Sequence, residues 1–239
     1  MDIGKEAAGR LAVEKYFNKK NNKDLVVGIG SGSTVIPFVK NLALNPDSGA
    51  YKCIPTSHQA KSLILENNLK LADLETESSI DIDVDGADEV AIINGELYLI
   101  KGGGGCLLQE KIVASFSKFL VILATEGKLS SYLGEKWKKG IPIEVISIAW
   151  KPIKLHIESR FNGFAHLRIG VNKMGPVVTD NGNFILDWKF DSSVKFQWRE
   201  VDRDLNNIPG VVGTGLFIGL AKAIVVGRED GTAYYKEFK

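Results

Sequence analysis

The sequence has little cysteine and little histidine. Its 239 residues include two cysteines, Cys53 and Cys106, and three histidines, His58, His156 and His166. The cysteines are far apart and form no CxxC motif, so we expect two buried, reduced thiols rather than a disulfide framework. The histidines form no HxxxH or HExxH pattern, so the sequence predicts no zinc site.

An excess of charge and a long apolar helix are also missing. The formal net charge is +1, which argues against a broad electrostatic surface for nucleic acid or an anionic membrane. Residues 1–6 lack the apolar core of a signal peptide. The most apolar stretch, residues 208–227, contains Pro209 and five glycines, which indicates buried strands rather than a membrane span. We expect a cytoplasmic protein that binds neither nucleic acid nor membranes.

Hydrophobic residues make up 44% of the chain, enough to bury a sizeable core. Up to about residue 124, helix patterns alternate with short apolar strand patterns, which is typical of a parallel sheet with helices on both faces. Asn94-Gly95 between two apolar runs predicts a β-hairpin, because both turn positions take positive φ. Residues 141–207 have the pattern of a compact α+β unit, and the earlier glycine-rich apolar pattern returns at Pro209.

A glycine- and serine-rich turn, residues 28–34, follows the first predicted strand and opens a helix. Converging backbone N–H groups and the positive end of the helix favour phosphate binding at such a turn. Ser31, Ser33 and Thr34 add hydroxyl donors. A purely structural turn is an equal alternative. A dinucleotide site is disfavoured, because Ser33 stands where its third glycine would be.

Carboxylates crowd the end of another predicted strand. Asp85, Asp88 and Glu89 lie within five residues, with a glycine that lets the chain turn. Crowded carboxylates raise the proton affinity of at least one member, as in proton-transfer sites. The alternative is structural, because Asp commonly caps turns and helices.

Lys101 is followed by four glycines, and Glu110 comes five residues after the last of them. Four successive glycines weaken a fold through their entropy cost, so a close approach of the backbone to a ligand is the natural explanation. Their N–H groups could stabilise an oxyanion, and Lys101 would add a positive charge. The alternatives are a surface lysine at a strand end and a glutamate favoured by the helix dipole.

Together, the blocks 28–34, 84–89 and 101–114 resemble the signature blocks of the type A ribose-5-phosphate isomerase family, in the family's order and nearly its spacing. Further similar blocks at 142–146, 176–187 and 208–217 extend the resemblance over nearly the whole chain. It implies an aldose–ketose isomerase that interconverts D-ribose 5-phosphate and D-ribulose 5-phosphate through an enediolate, with no metal or cofactor.

The resemblance also implies roles for single residues. Glu110 matches the general base, and Asp85, Asp88 and Lys101 match the other catalytic residues. The residues expected to bind the substrate are Ser31, Gly32, Ser33, Thr34, Gly102, Gly103, Gly104, Lys128 and Lys5. The chain departs from the family's usual Asp-x-Ser-Lys pattern before Lys128, where it has Thr125-Glu126-Gly127, so the contacts of Lys128 stay open.

We therefore predict an α/β fold with two domains. Residues 1–131 and 208–239 would form a Rossmann-like catalytic domain with a parallel sheet and helices on both faces. Residues 132–207 would form a smaller, inserted α+β domain of ferredoxin-like type. The resemblance implies a homodimer or homotetramer acting on a small sugar phosphate. The rival hypotheses are an amino-sugar-phosphate isomerase or a CoA transferase on a similar fold, and a sugar-phosphate sensor without catalytic activity.

Overall fold

The computed structural model of the protein describes residues 2–18, 24–191 and 193–238. The chain divides into two compact units. The first comprises Met1–Ala87, Gln109–Leu129 and Gly219–Lys239, and the second comprises Asp88–Leu108 and Ser130–Ile218. The domain limits predicted above (1–131 with 208–239, and 132–207) stay a prediction, because compact packing does not by itself define a domain.

Among its described residues, the first unit contains one sheet and four α-helices. Its helices are α1 (Ile3–Tyr16), α2 (Val35–Ala43), α3 (His58–Glu66) and α4 (Leu107–Ser115), the last belonging to this unit from Gln109 onward. Its strands are β1 (Val26–Ile29), β2 (Lys52–Pro55), β3 (Lys70–Leu71), β4 (Ile82–Gly86), β7 (Leu120–Thr125), β14 (Ala221–Gly227) and β15 (Ala233–Glu237). Their order in the sheet is β15-β14-β7-β4-β1-β2-β3.

All neighbouring strands of this sheet are parallel except β14 and β15, which pair antiparallel at one edge. From β1 the chain proceeds through β2 to β3 in one direction, whereas β4, β7 and β14 follow in the other. The order therefore reverses between β1 and β4. In open α/β sheets, ligands bind beyond the carboxyl ends of the strands at such a reversal.

The two faces of the sheet are covered by different helices. Successive residues of a strand point to opposite faces, so the contacts of neighbouring β1 residues show which helix covers each face. Val27 and Ile29 of β1 pack in a core with α1 and α2. Val26 belongs to a smaller cluster that includes Val113 of α4. Right-handed crossovers place helices on opposite faces when the direction of strand addition reverses, which accounts for α4 lying apart from α1 and α2.

The second unit contains two four-stranded sheets. Its elements are β5 (Glu89–Ile93), β6 (Glu96–Ile100), β8 (Leu129–Ser130), β9 (Ile141–Val145), α5 (Trp150–Phe161), β10 (Phe164–Leu167), β11 (Phe184–Lys189), α6 (Trp198–Asn206), β12 (Val211–Thr214) and β13 (Leu216–Ile218). One sheet has the order β10-β11-β9-β12, and the other has the order β13-β6-β5-β8.

The sheet with the order β10-β11-β9-β12 is formed by the sequence β9-α5-β10-β11-α6-β12, and its paired strands are all antiparallel. This is the β-α-β-β-α-β arrangement of ferredoxin-like folds. The predicted hairpin is present as β5 and β6, with φ of 52° at Asn94 and 81° at Gly95. The predicted α/β fold, with a parallel sheet between helices and an additional α+β part, is confirmed.

One prediction about exposure is wrong. Cys53 is buried in β2, but Cys106 is partly exposed, because it follows the glycine run at the start of α4 rather than lying in a strand. Within the described ranges, no helix combines the length and the apolar character needed to cross a membrane.

Candidate active site

The turn after β1 is held by side chains of a neighbouring strand, β4, and of helix α3. The N–H of Ser31 donates to Oδ1 of Asp85 over 3.0 Å, and the N–H of Gly32 donates to Oε1 of Gln59 over 2.8 Å. Gly32 has φ of 103°, which favours glycine. Ser33 is exposed and Thr34 is half-buried at the start of α2. Two backbone N–H groups of the turn, those of Ser31 and Gly32, therefore stabilise the turn itself, while the side chain of Ser33 is exposed and that of Thr34 is half-buried.

Asp85 lies at the end of β4 and is only 1% exposed. Its Oδ1 accepts hydrogen bonds from Ser31 and from the N–H of Gly86, the latter over 2.7 Å. The carboxyl group occupies the space that a Cβ on Gly30 would fill. Position 30 must therefore be glycine to leave room for the Asp85 side chain. The phosphate-turn hypothesis did not include this reason. The two strands at the reversal point bring Asp85 and the Ser31 turn together.

Glu110 lies in the first turn of α4 and is 4% exposed. One turn later, Cγ1 of Val113 lies 2.8 Å from the position of a Cβ on Gly28. At the other end of α4, the carbonyl of Phe116 accepts from the N–H of Ile80, just before β4, over 3.1 Å. The helix therefore runs against the strands, and Glu110 lies toward their carboxyl ends, the edge that also carries Asp85.

The two lysines predicted near the phosphate lie at the same edge of this sheet. Lys128 ends a 3-10 turn that follows β7. Lys5 lies at the start of α1, where a Cβ on Gly4 would approach the carbonyl of Arg228, just after β14, to 3.1 Å. Nζ of Lys5 lies 3.1 Å from the carboxylate of Asp2. The side-chain hydrogen bond from Lys5 holds the pKa of Asp2 below its usual value.

In the second unit, Lys101 follows β6 and is 2% exposed. Its N–H donates to the carbonyl of Gly215 over 2.9 Å, and its Nζ lies 5.3 Å from the ring centroid of Phe217. The alternative of a surface lysine at a strand end is wrong, because the side chain is buried.

The glycine run forms a tight turn. The N–H of Gly105 donates to the carbonyl of Gly102 over 2.9 Å, and φ is positive at both residues. The N–H of Gly103 donates to Oδ2 of Asp88 over 2.7 Å. A Cβ on Gly103 would lie 2.5 Å from Oδ1 of Asp88 and 2.7 Å from Trp137. Asp88 and the glycine turn are thus in direct contact.

Sequence reasoning did not identify the role of two residues. Glu89, one of the three crowded acids, is fully buried and accepts hydrogen bonds from the backbone N–H groups of Gly134, Lys136 and Trp137, so its role is structural. Arg168 donates to the carbonyls of the glycine turn. No local motif marks Arg168, so only the folded structure reveals this contact.

Among residues 2–18, 24–191 and 193–238, no group of three or more His, Cys, Asp or Glu side chains is placed to hold a metal ion. The first unit offers buried carboxylates beside a hydroxyl-rich turn at the start of a helix. The second offers a buried lysine and an aspartate bound to a glycine turn. These groups are suited to proton transfer and to the binding of anionic oxygens.

The chain is similar to proteins of one family. A family model described as ribose 5-phosphate isomerase A (phosphoriboisomerase A) matches residues 52–231. The ribose-5-phosphate isomerase of Homo sapiens is 49% identical over 235 residues, covering 98% of this chain and 73% of the relative. That of Dictyostelium discoideum is 49% identical over 240 residues, covering 99% and 98%.

Solved structures agree with this relationship. The structure of ribose 5-phosphate isomerase A from Methanocaldococcus jannaschii superposes with a TM-score of 0.85 at 37% identity, covering 98% of this chain and 97% of the other. A D-ribose-5-phosphate isomerase in complex with phospho-erythronic acid superposes with a TM-score of 0.87 at 39% identity, with the same coverage.

Proposed function

The chain belongs to the ribose 5-phosphate isomerase A family, an enzyme family that isomerises a pentose phosphate, and we propose that Glu110 is its general base in an enediolate mechanism. The substrates would be D-ribose 5-phosphate and D-ribulose 5-phosphate. The observation that carries the proposal is the buried carboxyl of Glu110 at the sheet edge that also bears Asp85 and the Ser31 turn. A carboxylate shielded from water is a suitable base for a carbon acid.

In the proposed reaction, Glu110 removes the proton from C2 of the open-chain aldose. The electron pair of that C–H bond forms the C1–C2 double bond, and the carbonyl oxygen on C1 becomes the oxyanion of the enediolate. The proton on the C2 oxygen moves to the C1 oxygen, and Glu110 returns its proton to C1. The product is the ketose, and Glu110 is again a carboxylate.

Lys101 and a backbone N–H of the glycine turn would stabilise the oxyanion. A well-placed donor of this kind contributes roughly 3–4 kcal/mol to transition-state stabilisation. Asp85 and Asp88 would open the sugar ring and move the proton between the two oxygens. Their orientations are held by backbone N–H donors, those of Ser31 and Gly86 for Asp85 and that of Gly103 for Asp88.

The phosphate would bind at Ser31, Gly32, Ser33 and Thr34, with Lys5 and Lys128 as counter-charges. Anchoring this end of the substrate orients the reacting carbons, so that binding energy far from the reaction contributes to rate. The related protein bound to phospho-erythronic acid supports a site for a phosphorylated sugar-like ligand.

The test is the Glu110→Gln variant, which keeps the shape of the side chain and removes the base. We expect turnover of ribose 5-phosphate to fall by a factor of about 10² or more, measured in the presence of a chelator. The matched control is Glu66→Gln, on exposed α3 surface, which should leave turnover unchanged. Near-normal turnover in Glu110→Gln would refute the assignment of the base.

A second measurement follows the proton. In deuterated water the wild-type protein should introduce deuterium at C1 of ribulose 5-phosphate, because the carboxylic acid exchanges with solvent before it returns the proton.

We also propose that the protein assembles as a homodimer or homotetramer in the cytoplasm. Light scattering of the purified protein checks the assembly, and a monomeric mass would contradict it.

A further inference from the structure

The four-glycine turn is held in place by the side chain of Arg168, the residue directly after β10. Nη1 of Arg168 donates to the carbonyl of Gly102 over 3.0 Å and to the carbonyl of Gly103 over 3.2 Å. Glycine has more backbone freedom than any other residue, so a run of four needs an outside restraint to keep one conformation. Arg168 supplies that restraint.

Arg168 is itself fixed by a carboxylate. Its Nε donates to Oδ2 of Asp187 over 2.8 Å and its Nη2 donates to Oδ1 over 2.5 Å, and both side chains are 16% exposed. The backbone N–H of Arg168 also pairs with the carbonyl of Ile185 over 2.8 Å. Only a guanidinium group can span a carboxylate and two carbonyls with its fixed fork of donors.

The carbonyl contacts determine where the amides of the turn point. In a planar trans peptide the N–H lies opposite the C=O. In the peptide that joins Gly102 to Gly103, the carbonyl of Gly102 accepts from Arg168 and the N–H of Gly103 donates to Asp88. By the same geometry, the bond to the carbonyl of Gly103 directs the N–H of Gly104 away from Arg168.

Gly104 is exposed, and a Cβ built on it meets no atom within 4 Å. Its N–H makes no hydrogen bond to any residue in the part of the chain that the structure describes. This donor therefore faces open space on the side of the turn away from Arg168. The adjacent N–H of the turn, that of Gly103, points to a proposed catalytic aspartate.

We propose that Arg168 is a positioning residue that aims the N–H of Gly104 at an oxygen of the reacting sugar. Arg168 does not touch the substrate in this proposal and acts through the two carbonyls. The inference rests on the proposed function, because it assumes that the glycine turn faces the enediolate. It assigns a role to the Arg168–Asp187 pair, which would otherwise be an ordinary ion pair.

The experiment compares Arg168→Lys and Arg168→Ala with Arg160→Ala. Arg160 also pairs with an aspartate, Asp204, in the same unit, but its side chain is 54% exposed. We expect kcat per folded molecule to fall by a factor of about 10² in both Arg168 variants, because one aimed donor is lost. KM should change less than about threefold, since the phosphate turn is untouched, and Arg160→Ala should retain wild-type kcat. Millimolar guanidinium ion should restore part of the activity of Arg168→Ala.

Wild-type kcat in a folded Arg168→Lys variant would overturn the proposal, even if Arg168→Ala does not fold. An independent measurement uses the ligand-free protein labelled with ¹⁵N-glycine. The amide resonances of Gly103 and Gly104 should shift in Arg168→Lys and stay in place in Arg160→Ala. Unchanged resonances reject the positioning role, whereas a wild-type protein that does not isomerise ribose 5-phosphate rejects the proposed function instead.

Discussion

Neighbouring glycines of the four-glycine turn have different reasons to be glycine. At Gly103 an added Cβ would lie 2.5 Å from the Asp88 carboxylate, whereas at Gly104 it would meet nothing within 4 Å. Gly103 is therefore required by the fold of the turn. Gly104 has space for a Cβ, so any requirement for glycine at this position would have to come from a ligand.

This contrast gives a prediction with a built-in control. Gly103→Ala should lose about 1–3 kcal/mol of unfolding free energy, because the new methyl group overpacks against Asp88 and Trp137. Gly104→Ala should unfold within about 0.5 kcal/mol of the wild type and yet bind ribose 5-phosphate more weakly. Urea titration and KM measure the two effects. Equal stability of the two variants would contradict the packing argument.

The proposed catalytic residues could be predicted from the sequence to the extent that they lie in short, unusual motifs. Asp85 and Lys101 precede glycines whose cost needs an explanation, Glu110 follows the glycine run by five residues, and the family resemblance implies the roles of all three. Arg168 could not be found in this way. It lies 65 residues from Gly103, and no feature of the intervening sequence shows that they meet.

At the scale of secondary structure, the start of β4 is tied to β1 by a carboxylate. Oδ2 of Asp81 accepts from the N–H of Val26 over 3.0 Å, and Oδ1 accepts from Nζ of Lys118 over 2.7 Å. Burial raises the pKa of Asp81, but the hydrogen bonds and the charge of Lys118 outweigh it, so the pKa is below its usual value of 3.8.

A depressed pKa makes the contribution of Asp81 to stability depend on pH. The ionised form is favoured in the folded state, so its contribution is present above the unfolded pKa and is lost as pH falls through the folded pKa. We expect Asp81→Asn to lower stability by up to about 1 kcal/mol at pH 7. The difference from wild type should shrink as the pH falls below 3.8 and through the lower folded pKa. Urea midpoints at pH 7 and over a series of acidic pH values measure it, and a difference that grows in acid contradicts the assignment.

The helices and strands of the first half were predictable because local sequence decides them. The strand ending at Ile29 and the turn at Asn94-Gly95 are set by a short apolar run and by residues that accept positive φ. The partners of an element are not local. The hairpin β5–β6 pairs with β13 and β8, whose residues come much later in the chain, and no periodicity within residues 89–100 indicates this.

For the whole molecule, the two cysteines provide a chemical probe of the native state. Burial raises the pKa of the Cys53 thiol to about 12, whereas Cys106 is partly exposed. The thiolate is the reactive form. A thiol reagent at pH 8 should therefore modify one cysteine of the native protein and two after denaturation. Mass spectrometry should locate the first modification at Cys106, and rapid modification of Cys53 in the native protein would contradict the described burial.

The order of segments along the chain also limits when the first sheet can be completed. The second unit occupies most of residues 88–218, and β14 and β15 follow it. Because β14 pairs with β7 along its whole length, a nascent chain that has just emerged to residue 218 presents β7 as an open edge. Such an edge is a template for pairing with other chains. On the ribosome, β7 therefore stays unprotected while residues 130–218 of the second unit are translated.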